Sequence, residues 1–332
     1  MTSAKALAGL IAALGGLAAA LAARAEPVKI RFQYASTSQF VPLMPLAPKE
    51  LYRHWGKSYV VEPMFMAGGG PALTALAARE IDIGGYGPPA IANAVNEAKL
   101  EVRVIAQVLS IDVPGWNRNE FWAKAPVKSL ADLKGKTIAT NSRNSVSDAA
   151  AHIVLGRHGL KDGRDYQIVE MRFPAILPAL ESGRVDVGML IMPFSLRAEQ
   201  MGMTPLFAIG DAFGPSETLV WAAMADWIAK NRAVLVDFME DHIRMRRWAM
   251  DPATRMEAVR LYARIDKRPV EEFEDWVLTH KDTYRHPEAL VDVARFQKNV
   301  DDMRAAGLIA ASIDANTYVD TSIAREAAAR LK

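Results

Sequence analysis

A short pattern written twice constrains this chain more than any other feature. Leu73, Ala75, Leu76, Ile81, Asp82, Ile83 and Gly84 recur as Leu177, Ala179, Leu180, Val185, Asp186, Val187 and Gly188 at one constant offset. The shared text is L-x-A-L, four residues, then [IV]-D-[IV]-G. Each copy fits a short apolar helix followed by a compact strand, so one helix–strand unit is used twice, once in each of two lobes. Arg53-His54 and Arg157-His158 share that offset, which chance explains as well for a dipeptide. Asp82 and Asp186 look like an acid pair. Their symmetry instead points to a repeated structural task, satisfying backbone donors at a strand end, because a buried acid needs partners. The copies diverge upstream, where Gly68, Gly69 and Gly70 precede the first and only Arg172-Phe173 precede Pro174 in the second.

The flanking sequence alternates strand and helix patterns, which argues an α/β fold with mostly parallel sheets. Strands are expected at 28–34, 59–65, 81–84, 102–109, 120–124, 136–140, 166–171, 185–192, 204–209 and 219–225, with Pro63 marking an edge or bend. Helices are expected at 45–54, from Ser145 to near Gly159, at 174–181, and in the C-terminal third at 232–250, 270–277, 287–306 and 320–331. Those last four read as packing and surface helices with little chemistry. Ser129 caps a one-turn helix over 129–133. The Pro-, Gly- and Asn-containing run 112–119 and the loop 210–217 read as two crossings between lobes. The expected division is a first lobe over 26–115, a second over 116–212, and a return to the first lobe with C-terminal helices over 213–332.

Residues 1–25 stand apart. Lys5, an apolar run rich in Ala, Leu and Gly, and the small-residue site Ala23-Arg24-Ala25 form the pattern of a secretory signal peptide. Cleavage after Ala25 and export to a periplasm are expected. The rival reading is an uncleaved anchor, but the run is Ala-rich and ends in small residues. Without this segment, which holds Lys5 and Arg24 and no acid, the 40 basic residues fall to 38 against 38 acidic ones. A chain of zero net charge without basic runs is a poor nucleic-acid binder. The absence of cysteine excludes disulfides, thiolate catalysis, Cys-type zinc sites and a lipidated leader. The six histidines form no H-x-x-x-H pair and no G-x-S-x-G elbow occurs, so no catalytic residue, metal or cofactor is expected.

The candidate binding groups sit on loops after expected strand ends, where open α/β sheets hold ligands. Gly69 and Gly70 leave backbone N–H groups unobstructed at a helix start, a place suited to an anion or to a plain turn. Tyr86 presents a hydroxyl and ring face or packs in the core. Asn141, Ser142 and Ser145 offer amide and hydroxyl groups. Arg143 beside them suits a carboxylate or sulfonate, or is a solvated surface residue. Phe194 either walls a pocket or sits in the core.

The run VKSLADLKGK over 127–136 resembles the approach to the second lobe in ABC-transporter substrate-binding proteins. The 73–84 unit is similar to a segment of their nitrate/sulfonate/taurine group; Gly183-Arg184-Val185-Asp186 and Tyr318-Val319-Asp320 also fit. The resemblance covers nearly all of the chain beyond residue 25. It implies a type II periplasmic-binding-protein fold, two α/β lobes with central mostly parallel sheets joined by two crossover strands. Ligands of that group include nitrate, taurine, alkanesulfonates, pyrimidine precursors and some aromatic carboxylates. By position it implies a pocket drawn from the loop Ser36 to Phe40, Ser38, Gln39 and Phe40 above all, from Gly68 to Gly70, from Tyr86, Gly87 and Pro88, from Asn141 to Ser145, and from Pro193 and Phe194. The group often carries a Trp and an acid before that proline. Here Leu190-Ile191-Met192 make a more apolar wall, which suits nitrate poorly. The aromatic candidates Phe40, Tyr86, Trp116 and Phe194 suit an organic anion, a sulfonate or carboxylate. The implied role is a monomeric periplasmic receptor that passes a small anionic organic solute to an ABC permease in the inner membrane. The alternatives are an enzyme on the same fold, resembling thiamine-pyrimidine synthases, and a ligand sensor for a membrane signalling protein. The leader and the missing cysteines argue against the enzyme.

Overall fold

A computed structural model describes residues 26–66 and 68–332; the expected signal peptide lies outside them. Ten strands occur among the described residues: β1 (Val28–Tyr34), β2 (Tyr59–Phe65), β3 (Ile83–Tyr86), β4 (Val102–Ile111), β5 (Glu120–Ala123), β6 (Lys136–Thr140), β7 (Tyr166–Glu170), β8 (Val187–Leu190), β9 (Thr204–Ala208) and β10 (Ser216–Met224). They form two five-stranded sheets, ordered β2-β1-β3-β10-β4 and β7-β6-β8-β5-β9. Only β10 in the first and β5 in the second run against their neighbours. Each of these is the strand that arrives from the other sheet. The edge position of β2 accommodates Pro63, whose missing N–H would break a central ladder.

The duplicated pattern is the same unit in both sheets. The Gly69–Ala77 helix leads to β3 and the Phe173–Glu181 helix to β8. Asp82 accepts the Arg31 backbone N–H at 2.8 Å, and Asp186 accepts the Thr137 N–H at 2.9 Å. Each thus ties its unit to the neighbouring parallel strand, and each has a cation close by, Arg31 at 2.7 Å and Lys136 at 3.1 Å. The closing glycine is needed for space in both copies. A Cβ on Gly188 would stand 2.3 Å from Ile176 Cγ2, and one on Gly84 would stand 2.2 Å from the Tyr86 hydroxyl. The two Arg-His dipeptides have no common role. The Arg53 and His54 N–H groups bind Asp241, whereas Arg157 donates to the carbonyls of Asp211 and Ala212.

The expected helix over 45–54 is absent; only the 3-10 turn Lys49–Leu51 forms there, after another at Val41–Leu43. Pro45 and Pro48 interrupt helical hydrogen bonding. Downstream, the buried Asp241 carboxylate takes the N–H groups of Arg53, His54 and Trp55 at 2.8, 2.9 and 3.2 Å, and the Tyr59 hydroxyl at 3.0 Å. The 270–277 stretch is a 3-10 turn, Val270–Glu272, followed by further turns. The helix expected from 287 begins at Val293, where the Asp292 side chain caps it by accepting from Arg295 N–H. The Ala225–Met250, Arg255–Asp266 and Ser322–Ala329 helices cover one face of the first sheet, packing Phe238, Met239, Tyr262 and Ile323 against Ile30, Phe32 and Trp221.

Two short segments join the sheets: residues 112–119 between β4 and β5, and residues 209–215 between β9 and β10, the latter holding the one-turn helix Gly210–Phe213. They touch closely. A Cβ on Gly210 would lie 2.2 Å from Asp112 Cγ, so only glycine fits. Arg118 spans both, reaching Asp112 at 2.5 Å and Asp211 at 2.6 Å.

Candidate binding cleft between the two sheets

A cavity of about 270 Å³ opens between the two sheets, at the ends of their parallel strands and above the two crossings. Loops after β1, β2 and β3 meet loops after β6 and β8 across it. The facing walls are in contact at its rim. A Cβ on Gly68 would stand 3.5 Å from Ser142 Oγ, and one on Gly87 would stand 3.0 Å from Val146 Cγ2. Arg172 lies over the Phe65 ring at 6.0 Å, and Arg268 over the Phe194 ring at 5.9 Å, both reaching from one lobe to the other. The two lobes therefore touch across the rim of the cavity.

Of the residues singled out in the sequence, Ser38, Gln39, Gly69, Gly70, Gly87, Asn141, Ser142, Arg143 and Ser145 stand on the cavity wall. Phe40, Tyr86, Pro88, Trp116, Pro193 and Phe194 lie off it. Phe40 is buried in the first lobe between the guanidinium groups of Arg246 and Arg285, 5.2 and 5.6 Å from its ring. Tyr86 is fully buried and its hydroxyl donates to the Ala72 carbonyl at 3.1 Å, with burial pushing its pKa upward. Pro88 begins the Pro88–Asn96 helix as a buried residue. Trp116 rests on His280 and Tyr284. Pro193 precedes the Phe194–Gln200 helix, and Phe194 packs against the second lobe's apolar cluster.

Asn117, Asn119, Thr218, Trp276, Asp282 and Thr283 also line the cavity, and none was singled out in the sequence. The two asparagines lie on the first crossing, inside the run already marked by its Pro, Gly and Asn content, which was the available signal. Trp276, Asp282 and Thr283 come from the C-terminal third, where no motif marks them.

Arg143 does not offer a free guanidinium. Its Nη1 bonds Asp162 at 2.9 Å and Asp148 at 3.3 Å, and its Nη2 donates to the Ile168 carbonyl at 3.0 Å. Burial pushes the Asp148 carboxyl upward, while Asn144 N–H, His152 and Arg143 pull it down. Asp282, the acidic residue on the wall, accepts the N–H groups of Leu278 and Thr283 at 3.0 and 2.7 Å and pairs with Arg285 at 2.8 Å. The other polar wall groups are amides and hydroxyls, and no histidine, lysine or tyrosine stands among the described wall residues. Such a surface can hold a solute by hydrogen bonds and apolar contact. Away from the cleft, His54, Asp237 and Glu240 come close enough to share an ion, but Arg244 and Arg330 already pair with these carboxylates.

With this geometry in hand, comparison with known proteins places the chain. The alkanesulfonate-binding protein SsuA from Xanthomonas axonopodis pv. citri, solved bound to MOPS, is similar over 90% of this chain and 100% of its own, with 18% identity and a TM-score of 0.69. The periplasmic nitrate-binding protein NrtA from Synechocystis PCC 6803 matches over 92% and 89%, with 16% identity and a TM-score of 0.69. The periplasmic aliphatic sulphonate-binding protein SsuA from Escherichia coli matches over 89% and 92%, with 21% identity and a TM-score of 0.63. These likenesses assign the type II periplasmic-binding-protein fold that the resemblance implied. No curated protein matches the sequence. No helix among the described residues is long and apolar enough to cross a membrane. The family profile described as "NMT1/THI5 like" matches residues 61–252, more than half of the chain, and this protein belongs to that family.

Proposed function

We propose that this protein is the solute-binding component of an ABC importer, exported to the periplasm, and that it captures a small organic molecule by closing its lobes. The lobes divide near residues 115 and 212, and the crossings 112–119 and 209–215 act as the hinge. One observation carries this reading: a cavity of about 270 Å³ lies between two lobes joined only by two short adjacent segments, with its rim closed by contacts from both sides. The named purposes of the similar solved proteins, sulfonate and nitrate binding, agree with a solute-binding role. The enzyme alternative finds little support in the wall, whose one carboxylate among the described residues, Asp282, is already committed to Arg285 and two backbone N–H groups, and which holds no histidine or amine nucleophile. A thermal-shift screen with the low-molecular-mass fraction of a bacterial extract tests the proposal. A saturable rise in melting temperature is expected, followed by mass detection of one molecule bound per chain. An unresponsive melting curve would count against solute binding.

A further inference from the structure

Closing a cleft over a charged solute strips the charge of water, and the loss must be met by an opposite charge or by several aimed donors. The wall of this cleft holds two ionic side chains among the described residues, Arg143 and Asp282. Both are already neutralised within their own lobes. Arg143 is held by Asp148, Asp162 and the Ile168 carbonyl, and Asp282 by Arg285 and two backbone N–H groups. Arg172, which has no carboxylate partner among the described residues, stacks on Phe65 and is not a wall residue.

Two backbone donors of the 141–145 loop are also committed. The Arg143 N–H points to the Glu170 carboxylate, and the Asn144 N–H points to Asp148 at 3.0 Å. Internal carboxylates thus occupy two donors of that loop. Gly69 and Gly70, at the start of the Gly69–Ala77 helix, line the cavity with no acid in their turn, and their N–H groups can serve a neutral acceptor as well as an anion. The Val146–Arg157 helix opens on the cavity, but Asp148 in its first turn already faces its positive end. The Pro88–Asn96 helix begins with two prolines and offers no N–H at its first two positions.

Neutral groups, in contrast, remain open. Gln39 is 3% exposed, its Oε1 accepts the Ala35 N–H at 3.1 Å, and its Nε2 has no partner among the described residues. The Asn119 side-chain amide, on a residue 7% exposed, likewise has none. Thr218 Oγ1 is buried and unpartnered. These groups come from the first lobe, the first crossing and β10, and all three residues line the cavity. Leu73, Leu109, Phe173, Met189, Ile209 and Leu219 supply apolar wall.

We infer that this cleft takes an uncharged, partly apolar organic molecule whose hydrogen-bonding atoms meet Gln39, Asn119 and Thr218, rather than the anion that the sequence resemblance implies. The inference rests on the solute-binding reading and specifies its ligand class. The open amides of Gln39 and Asn119 and the buried Thr218 hydroxyl gain partners when such a solute enters, and no unpaired charge is enclosed.

The test is isothermal titration of the full chain with matched pairs that share a skeleton and differ in charge: benzamide against benzoate, butanesulfonamide against butanesulfonate, and further pairs of that kind. The neutral member is expected to bind at least tenfold more tightly, with an affinity unchanged by added sodium chloride. Thr218→Val, which keeps the shape and removes the hydroxyl, is expected to weaken the neutral ligand roughly tenfold. It should leave the melting temperature of the empty protein unchanged or raised, because it deletes an unpartnered buried oxygen. Tighter binding of the anionic members would overturn the inference while leaving solute binding intact. Pairs in which neither form binds would overturn this inference, while the thermal shift with the bacterial extract judges solute binding separately. An unaltered affinity in Thr218→Val would remove that hydroxyl from the site and contradict the proposed contact.

Discussion

The two repeated aspartates show what a single side chain does in this fold. Asp82 is 6% exposed and accepts one backbone N–H and two guanidinium N–H groups of Arg31. Replacing it by asparagine should cost on the order of 2 kcal/mol of stability, read from urea unfolding. The same change at Asp186, whose side chain is 33% exposed, should cost less. Equal losses would contradict the burial argument. This role was legible because the residue occurs twice in the same context, and catalysis rarely needs the same acid in both lobes. Arg143 was not legible in that way. Its partners Asp162 and Ile168 lie far along the chain, on or before the next strand, and no local spacing links them to it. The glycine run divides at this scale too. Gly68 has φ +85, whereas a Cβ on Gly70 would meet nothing within 4 Å and one on Gly69 only Ala90 at 3.8 Å. Gly68→Ala should therefore cost about 1 kcal/mol, and Gly69→Ala nearly none. A bulky residue at Gly69 should weaken solute binding without moving the melting temperature of the empty protein.

Among the elements, the strand β10 carries the most consequence, because it is the chain's return to the first lobe. Its second residue, Glu217, is 2% exposed, accepts the Ser110 hydroxyl at 3.0 Å and the Asp292 N–H at 3.2 Å, and gives its own N–H to Asn299. Burial pushes its carboxyl up to about 7 from the ordinary 4.5. The folded state therefore holds a proton that the unfolded chain releases near the ordinary value. Stability from this group is complete below about pH 4.5 and is lost as the pH rises through about 7, a change on the order of 3 kcal/mol. Glu217→Gln should flatten that part of the pH–stability curve and be the more stable protein at pH 8 by urea unfolding. A parallel curve for the two proteins would contradict the shift. The strands themselves were mostly legible, since alternation and β-branched residues mark them. The failure over 45–54 has a local cause in Pro45 and Pro48 and a tertiary one, for Asp241 on a helix far along the chain captures the Arg53 and His54 N–H groups.

For the whole molecule, the two-lobed plan follows from the repeat, and the cleft follows from where the crossings lie. What the chain's linear order hid was the floor of the cleft, because Asn119, Thr218 and Thr283 meet only after the chain has crossed twice. Closure by hinge motion at those crossings is the central proposal, and a distance across the cleft measures it. The protein has no cysteine, so a pair introduced at the exposed positions Glu62 on β2 and Gln167 on β7 can be labelled cleanly. Fluorescence energy transfer between those labels, recorded with and without the low-molecular-mass fraction of a bacterial extract, is the direct measurement. The empty protein should show a longer and broader distance that shortens saturably as solute is added, and Ser38→Trp, which fills the cavity, should abolish the change. A distance that stays constant while the same fraction raises the melting temperature would contradict capture by closure.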